Sequence, residues 1–326
     1  MKVLMILLAL AMVNTGLFAE GAAEEEAEEL TLRYAEMNPE GDSITIAGQE
    51  FARIVEERTD GRIQIDVHPG GTLGTHAEVI SGIQTGAIEM GRTQYGYLAE
   101  AGWPDLAAFS LPFIWRDVDH ARDVLTGEVG QNTLAELENE LGIIGIGHLV
   151  TYPRNFFFTD EPVTTLDQMQ GMEVRVQPGD LYLNMVEGLG ADATAIDFGE
   201  LYSALQAGVV DGAEQPPKGY VANHFHEITD YFVLTRHQID PSVMMVSPTI
   251  WNQLTEEDRE LFREAASEAR EHYVEVAAEE NEEALDEMRA EGVEILEPEN
   301  PEAWREAVTD IYEGYDQDLI QAIIDG

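Results

Sequence analysis

Glu200–Pro217 reads ELYSALQAGVVDGAEQPP, and a looser version of it, EVISGIQTGAIEMGRTQY, occupies Glu78–Tyr95. Laid over each other, Glu78 falls on Glu200, Gln84 on Gln206 and Gly86 on Gly208. Glu89 then meets Asp211, and with one residue slipped Gly91 meets Gly212, after which each copy reaches a Gln, Gln94 or Gln215. Each copy spells a helix ending at Gly, a short apolar strand, and a loop that opens on polar residues. With AIEMG and VVDG taken as the strands, Arg92, Gln94 and Gln215 belong to the loops after them.

The flanking segments repeat the alternation. LTLRYAE is a strand, SITIAGQEFARIVEERTDG a helix with Ile46, Phe51, Ile54 and Val55 on one face, and RIQIDV a strand. Thr75 with Glu78 makes a capping box for the next helix. In the second half MEVRV is a strand, DLYLNMVEGLG a helix, ADATAI a strand, and Asp197 with Glu200 caps the repeated helix. Strand, helix, strand, helix, strand is the grammar of an open, mostly parallel sheet covered by helices. The expected fold is therefore α/β, with two lobes joined by a hinge. Ligands of open α/β sheets bind at the carboxyl edge of the strands, and two such edges facing each other make a cleft. From Thr255 a helix runs to about Glu291, its stripe of Phe262, Ala265, Ala266, Ala269, Tyr273, Leu285 and Met288 long enough to brace both lobes.

The lobe boundaries expected are 30–151 plus about 241–280, and 152–240 plus about 281–326. Residues 1–23 read as a secretory signal, with one Lys, an apolar run and cleavage near Ala19 or Ala23. Residues 24–29 form an acidic leader. The mature chain is expected to be exported and periplasmic, a monomer with no membrane insertion.

Of 326 residues, 64 are acidic and 17 basic, a formal net charge of −47. Self-repulsion of that size is tolerable where salt screens it, and no basic patch exists to neutralise phosphates, which excludes nucleic acid. No Cys is present, so no disulfide, thiol nucleophile or lipid-bearing Cys is available. Only two of the basic residues are Lys, so an Arg inside an apolar segment carries information. Arg175 lies between Val174 and Val176 in a strand that should be buried. A buried guanidinium needs an anion, and its planar fork matches a carboxylate. The competing partner is an internal acid, Glu173 or Glu214. Arg154, in a loop beside three Phe residues, is either a second such group or one half of a surface ion pair.

The chain resembles the extracytoplasmic solute-binding subunit of tripartite ATP-independent periplasmic (TRAP) transporters, the DctP-type family. The likeness is carried by GGTLG (Gly70–Gly74), LPFIWRDVDHA (Leu111–Ala121), GMEVRVQ (Gly171–Gln177) and FGELYSALQAGVVDGAEQP (Phe198–Pro216). It implies a periplasmic-binding-protein-like pair of lobes closing on a small organic acid and passing it to membrane permease subunits, without catalysis or cofactor. It further implies that Arg175 grips the ligand carboxylate, that Arg154 is a second ligand Arg, and that Phe198 packs on the ligand. Gln215 stands where the family usually has Asn, which leaves the acid open among uronates, dicarboxylates, 2-oxo acids and hydroxy acids.

Several residues extend the candidate site beyond the likeness. Gln94 has the internal repeat behind it, and Arg92 could add a second positive contact and a dicarboxylate preference. Thr75 and His76 open a helix whose amides face the ligand, and Tyr220 and His224, downstream of Gln215, either reach the cleft or pack at the hinge. His224 and His226, two apart, should point to opposite sides of a strand, a poor arrangement for a metal. Two other functions use the same cleft: an exported hydrolase with Glu200, Asp211 or Glu214 as acid and base, and a ligand sensor for a membrane receptor. Neither a zinc-protease nor a serine-hydrolase motif is present.

Overall fold

A computed structural model describes residues 29–326. The expected signal and all but the last residue of the acidic leader lie outside the described residues. Among the described residues eleven strands form two sheets, ordered β2-β1-β3-β10-β4 and β11-β9-β5-β8-β6-β7. The first contains β1 (Leu30–Ala35), β2 (Ile63–His68), β3 (Met90–Gln94), β4 (Ile144–Leu149) and β10 (Ser242–Val246). The second contains β5 (Arg154–Phe158), β6 (Glu173–Val176), β7 (Asp192–Ala195), β8 (Gly212–Gln215), β9 (Tyr231–Gln238) and β11 (Glu294–Leu296). β1, β2 and β3 pair in parallel, as do β6, β7 and β8, whereas β10 and β5 run antiparallel to both of their neighbours. The chain leaves the first sheet after β4, enters the second at β5, and returns between β9 and β10. Two short crossovers, 150–153 and 239–241, therefore link the sheets.

The repeat is real in three dimensions. Helix His76–Thr85 ends at Gly86 with φ 79°, and helix Leu201–Gln206 gives way to Gly208 with φ 66°, a left-handed turn that costs Gly no Cβ clash. The strands that follow start later than the apolar pattern implies. Ala87 and Ile88 donate to the carbonyl of Gly82 (2.8 and 3.1 Å) and finish the helix, so β3 begins only at Met90. β8 likewise begins at Gly212. Arg92 is thus inside its strand, and Gln94 and Gln215 are the last residues of theirs. Arg154 also belongs to a strand, as the first residue of β5. Thr75 forms its capping box with Glu78, but Asp197 makes no capping hydrogen bond, because a 3-10 turn over Phe198–Glu200 intervenes.

The long helix spans Glu256–Glu291, 36 residues, or about 54 Å at 1.5 Å per residue. Thr255 and Asp258 cap its start reciprocally, and Gly292 at φ 94° ends it. All seven residues of the expected stripe are buried. Phe262 to Tyr273 pack in the core between helix Ser43–Arg58 and the first sheet, while Leu285 and Met288 pack in a separate core with β9 and helix Pro217–Ala222. One amphipathic face thus serves two cores. Among the described residues no helix is long and apolar enough to cross a membrane.

Candidate functional site

The carboxyl ends of the central strands of both sheets meet at one cavity, about 610 Å3 with its opening to solvent counted. Its first wall carries Asn38, Asp42, His76, Arg92, Gln94 and Tyr97; its second carries Arg154, Arg175, Gln177, Phe198, Gln215 and Lys218. Thr151 and Tyr152 from a crossover and Tyr273 and Asn281 from the long helix close the sides. Eight buried side-chain polar atoms among the described residues have no hydrogen-bond partner. Four of the eight line this cavity: both Nη atoms of Arg175, Nη1 of Arg92 and Oε1 of Gln94. Buried donors in folded proteins are almost always paired, so this concentration marks a place built to meet a guest.

The basic side chains differ sharply in their pairing. Arg92 donates through Nε and Nη2 to the two carboxylate oxygens of Glu36 (2.8 and 2.5 Å) and through Nη2 to Asn38 Oδ1 (3.1 Å), with Arg92 and Glu36 both buried. Arg154 pairs with Glu214 through two bonds to its carboxylate and a third, from Nη2, to its backbone carbonyl at 3.0 Å. Arg175 is fully buried, yet its only bond to the described residues runs from Nε to the carbonyl of Ile196 (2.8 Å). The two acids that could have neutralised it are occupied, Glu214 by Arg154 and Glu173 by the hydroxyl of Thr194. Its guanidinium carbon stands 5.9 Å from the ring centre of Phe198. Burial lowers its pKa from the ordinary value, the signature of a cation without a close counter-charge.

Neutral groups surround that fork. His76 accepts or donates at Nδ1 to Thr93 Oγ1 (2.7 Å) and stacks on Tyr97 with centroids 3.9 Å apart. Burial first, then Arg92 and Arg175, hold His76 well below the usual imidazole pKa, so it sits in the wall uncharged at neutral pH. Burial pushes Tyr97 up to about 12, which keeps its phenol protonated. Asp42 is the one acid among the lining residues; it caps helix Ser43–Arg58 by accepting from Ile44 N (2.9 Å) and holds Asn38 Nδ2 (2.9 Å).

Several expected positions change. Arg92 is not a free second cation, because Glu36 matches its charge. Arg154 lines the cavity but forms a buried ion pair where a surface pair was one of the readings. Thr75 is outside the cavity, its hydroxyl accepting from Glu78 N (3.3 Å). Tyr220 is also outside: it bonds Thr229 Oγ1 (2.7 Å) and packs among Phe157, Phe225 and Phe232. The helix that carries it turns Lys218 and Gly219 toward the cavity instead. The hydrolase carboxylates do not converge, since Glu200 is exposed, Asp211 accepts from Glu173 N (2.8 Å) and Glu214 is tied to Arg154. His224 and His226 do not alternate along a strand: His224 precedes a 3-10 turn and His226 lies within it, ring centres 6.0 Å apart.

Of the lining residues not expected, two had a signal. Gln177 is two residues beyond Arg175 in extended chain and so shares its face. Lys218 is the only Lys besides Lys2 and follows Gln215 closely. Asn38, Asp42, Tyr273 and Asn281 arrive from distant segments with no local mark.

Comparison with known proteins agrees with this geometry. The family described as bacterial extracellular solute-binding protein, family 7 (DctP), matches residues 34–318. A solute-binding protein of Chromohalobacter salexigens is 34% identical over 221 residues, 68% of this chain and 65% of that one. The crystal structure of a TRAP periplasmic solute-binding protein from Pseudomonas putida F1 with bound D-glucuronate is similar at TM-score 0.86 and 32% identity, covering 90% of this chain and 96% of that one. A Bradyrhizobium counterpart in complex with galacturonate gives TM-score 0.87 at 28% identity, covering 91% and 100%. This family match over most of the chain, with a cavity that holds one unmatched guanidinium, makes the chain a solute-binding protein and a member of the bacterial extracellular solute-binding protein family 7 of TRAP transport.

Proposed function

We propose that the protein captures a monoanionic sugar acid, a hexuronate such as D-glucuronate or D-galacturonate, and delivers it to the permease subunits of a TRAP transporter. The carrying observation is Arg175, whose two free Nη donors form a fork for one carboxylate in a dry wall. Charge counting supports a single anionic group. Lining residues and their direct ion partners comprise four cations (Arg92, Arg154, Arg175, Lys218) and three acids (Asp42, Glu36, Glu214), leaving one net positive charge. Gln94, Gln177, Gln215, Asn38 and His76 offer neutral donors and acceptors suited to sugar hydroxyls, and Phe198 offers an apolar face to the ring. Gln215, longer by one methylene than the family's usual Asn, reaches further into the space.

The protein works in the periplasm as a monomer after its leader is cut near Ala19 or Ala23, with lobes 30–151 plus about 241–280 and 152–240 plus about 281–326. Closure brings the lobes together at the crossovers. There Asp240 accepts from Ser110 Oγ (2.6 Å), Gln177 Nε2 (3.2 Å) and Tyr182 Oη (3.3 Å).

A thermal-shift panel tests this. At 100 times its dissociation constant, the right ligand stabilises by about 2.7 kcal/mol. D-Glucuronate and D-galacturonate are expected to raise Tm, with the neutral hexose D-glucose silent and the dianion succinate weaker. Equal response to succinate would overturn the monoanion assignment while leaving Arg175 as the anchor.

Gly96 provides a test of closure. A Cβ at this position would lie 2.0 Å from Tyr182 Oη and 2.7 Å from its Cζ, so only Gly lets helix Tyr95–Glu100 approach Tyr182 across the two sheets. Overpacking of this kind costs about 1–3 kcal/mol. Gly96→Ala should therefore weaken D-glucuronate binding roughly 5- to 150-fold by calorimetry.

A further inference from the structure

We propose that His224, His226 and Glu227 form a binding site for one divalent transition-metal ion, with Zn2+ the best match, separate from the solute cavity. The three side chains each present a ligand atom, and these atoms lie within 4.8 Å of one another. His224 Nδ1 and Glu227 Oε1 are 3.4 Å apart. Two ligands bonded at 2.0–2.1 Å to a tetrahedral metal are separated by about 3.4 Å, so this pair already has the spacing of one edge of the coordination polyhedron. The third ligand carries an independent sign. His226 Nδ1 is buried, has no hydrogen-bond partner, and is the only such atom of this turn among the described residues.

The backbone explains why residues that would diverge on a strand converge here. Helix Pro217–Ala222 ends, His224 turns the chain through the left-handed region at φ 59°, and a 3-10 turn follows over Phe225–Glu227. Side chains three apart eclipse in a 3-10 turn, which stacks Glu227 on His224. A left-handed His is uncommon and persists only where the surroundings hold it. The intervening Phe225 supplies that hold, buried with its ring 5.2 Å from Phe157, its carbonyl accepting from Thr229 Oγ1 at 3.0 Å. The turn is thus anchored through its inward residue, while His224 and Glu227 are exposed and His226 is half-buried between them. Two imidazoles and one carboxylate, with room for water at a fourth position, suit Zn2+, Ni2+ or Cu2+. They do not suit Ca2+ or Mg2+, which take oxygen ligands in larger number.

The test is calorimetric titration of the mature chain with ZnCl2, in excess Mg2+ to occupy dispersed carboxylates. One Zn2+ per chain is expected, not displaced by Ca2+. His224→Ala and His226→Gln should each weaken it by at least about tenfold, since even outer-shell changes cost 10–100-fold. Glu227→Gln should weaken it less than either His substitution. The His224 side chain is about two-thirds exposed, so His224→Ala tests the site without disturbing the core. Unchanged Tm in chelator confirms that each variant is folded. No Zn2+ binding by the parent, binding unaltered by His224→Ala, or equal competition by Ca2+ would each overturn the proposal.

Discussion

Arg175→Ala is expected to weaken binding of D-glucuronate by about 2–5 kcal/mol, the usual cost of truncating one partner of a buried charge pair. Even the lower figure is roughly a thirtyfold rise in Kd, and the upper one several thousandfold. The effect should be this large because nothing else in the wall can replace the fork. Arg92 and Arg154 are committed to Glu36 and Glu214, and Lys218, the one other cation of the lining, offers a point charge and not a planar fork. Arg175→Lys should recover little, since an ammonium cannot make two parallel bonds to a carboxylate. Titration calorimetry reads the result directly. An affinity within threefold of the parent would show that the carboxylate binds elsewhere. The variant should fold at least as well as the parent, because an unmatched buried cation has been removed.

The second large effect concerns folding. Glu214→Ala leaves the Arg154 guanidinium buried and unpaired, and breaking a buried pair from one side costs about 3–5 kcal/mol. At about 2–4 °C per kcal/mol for a chain near this size, Tm should fall on the order of 10 °C. Glu297→Ala is the matched control. It removes the carboxylate from Arg236, but that pair is more than half exposed and worth at most about 1 kcal/mol. If scanning calorimetry gave the two variants the same Tm, the Arg154–Glu214 pair would be solvated in practice and the charge count of the cavity would have to be redrawn.

Both expectations depend on pairings that span the chain. Glu36 and Arg92 are 56 residues apart, and Arg154 and Glu214 are 60 apart. Apolar periodicity carries no information about such partners, because each ion is compatible with many others until the strands are in register. That is why Arg92 and Arg175 look alike in sequence, each an Arg near the edge of an apolar strand, yet one is neutralised and the other is open. Register itself was partly hidden. Ala87 and Ile88 look like strand but complete a helix end, while Arg92, Thr93 and Gln94 look like loop but form buried strand. Strands that carry a binding wall replace apolar residues with polar ones at the point where hydrophobic pattern is the only guide.

Local chemistry also misleads where a turn reorients the chain. Tyr220 and Lys218 are two apart on a short helix, so placing one in the core obliges the other toward the cavity. His224 and His226 diverge on a strand and converge around a 3-10 turn, a difference made by one left-handed residue.

The sequence by itself determined the duplicated helix–strand unit, the α/β grammar, the length and ends of the bracing helix, and the placing of Arg175 inside a strand that should be buried. These follow from periodicity, caps and the rarity of a buried Arg, all of which act over a few residues. Only the tertiary structure decided which cations are already matched, which polar side chains share a wall, and which wait for a guest. Coulomb energy and desolvation depend on distances in space, and the fold alone brings residues 36 and 92, or 154 and 214, within reach of each other.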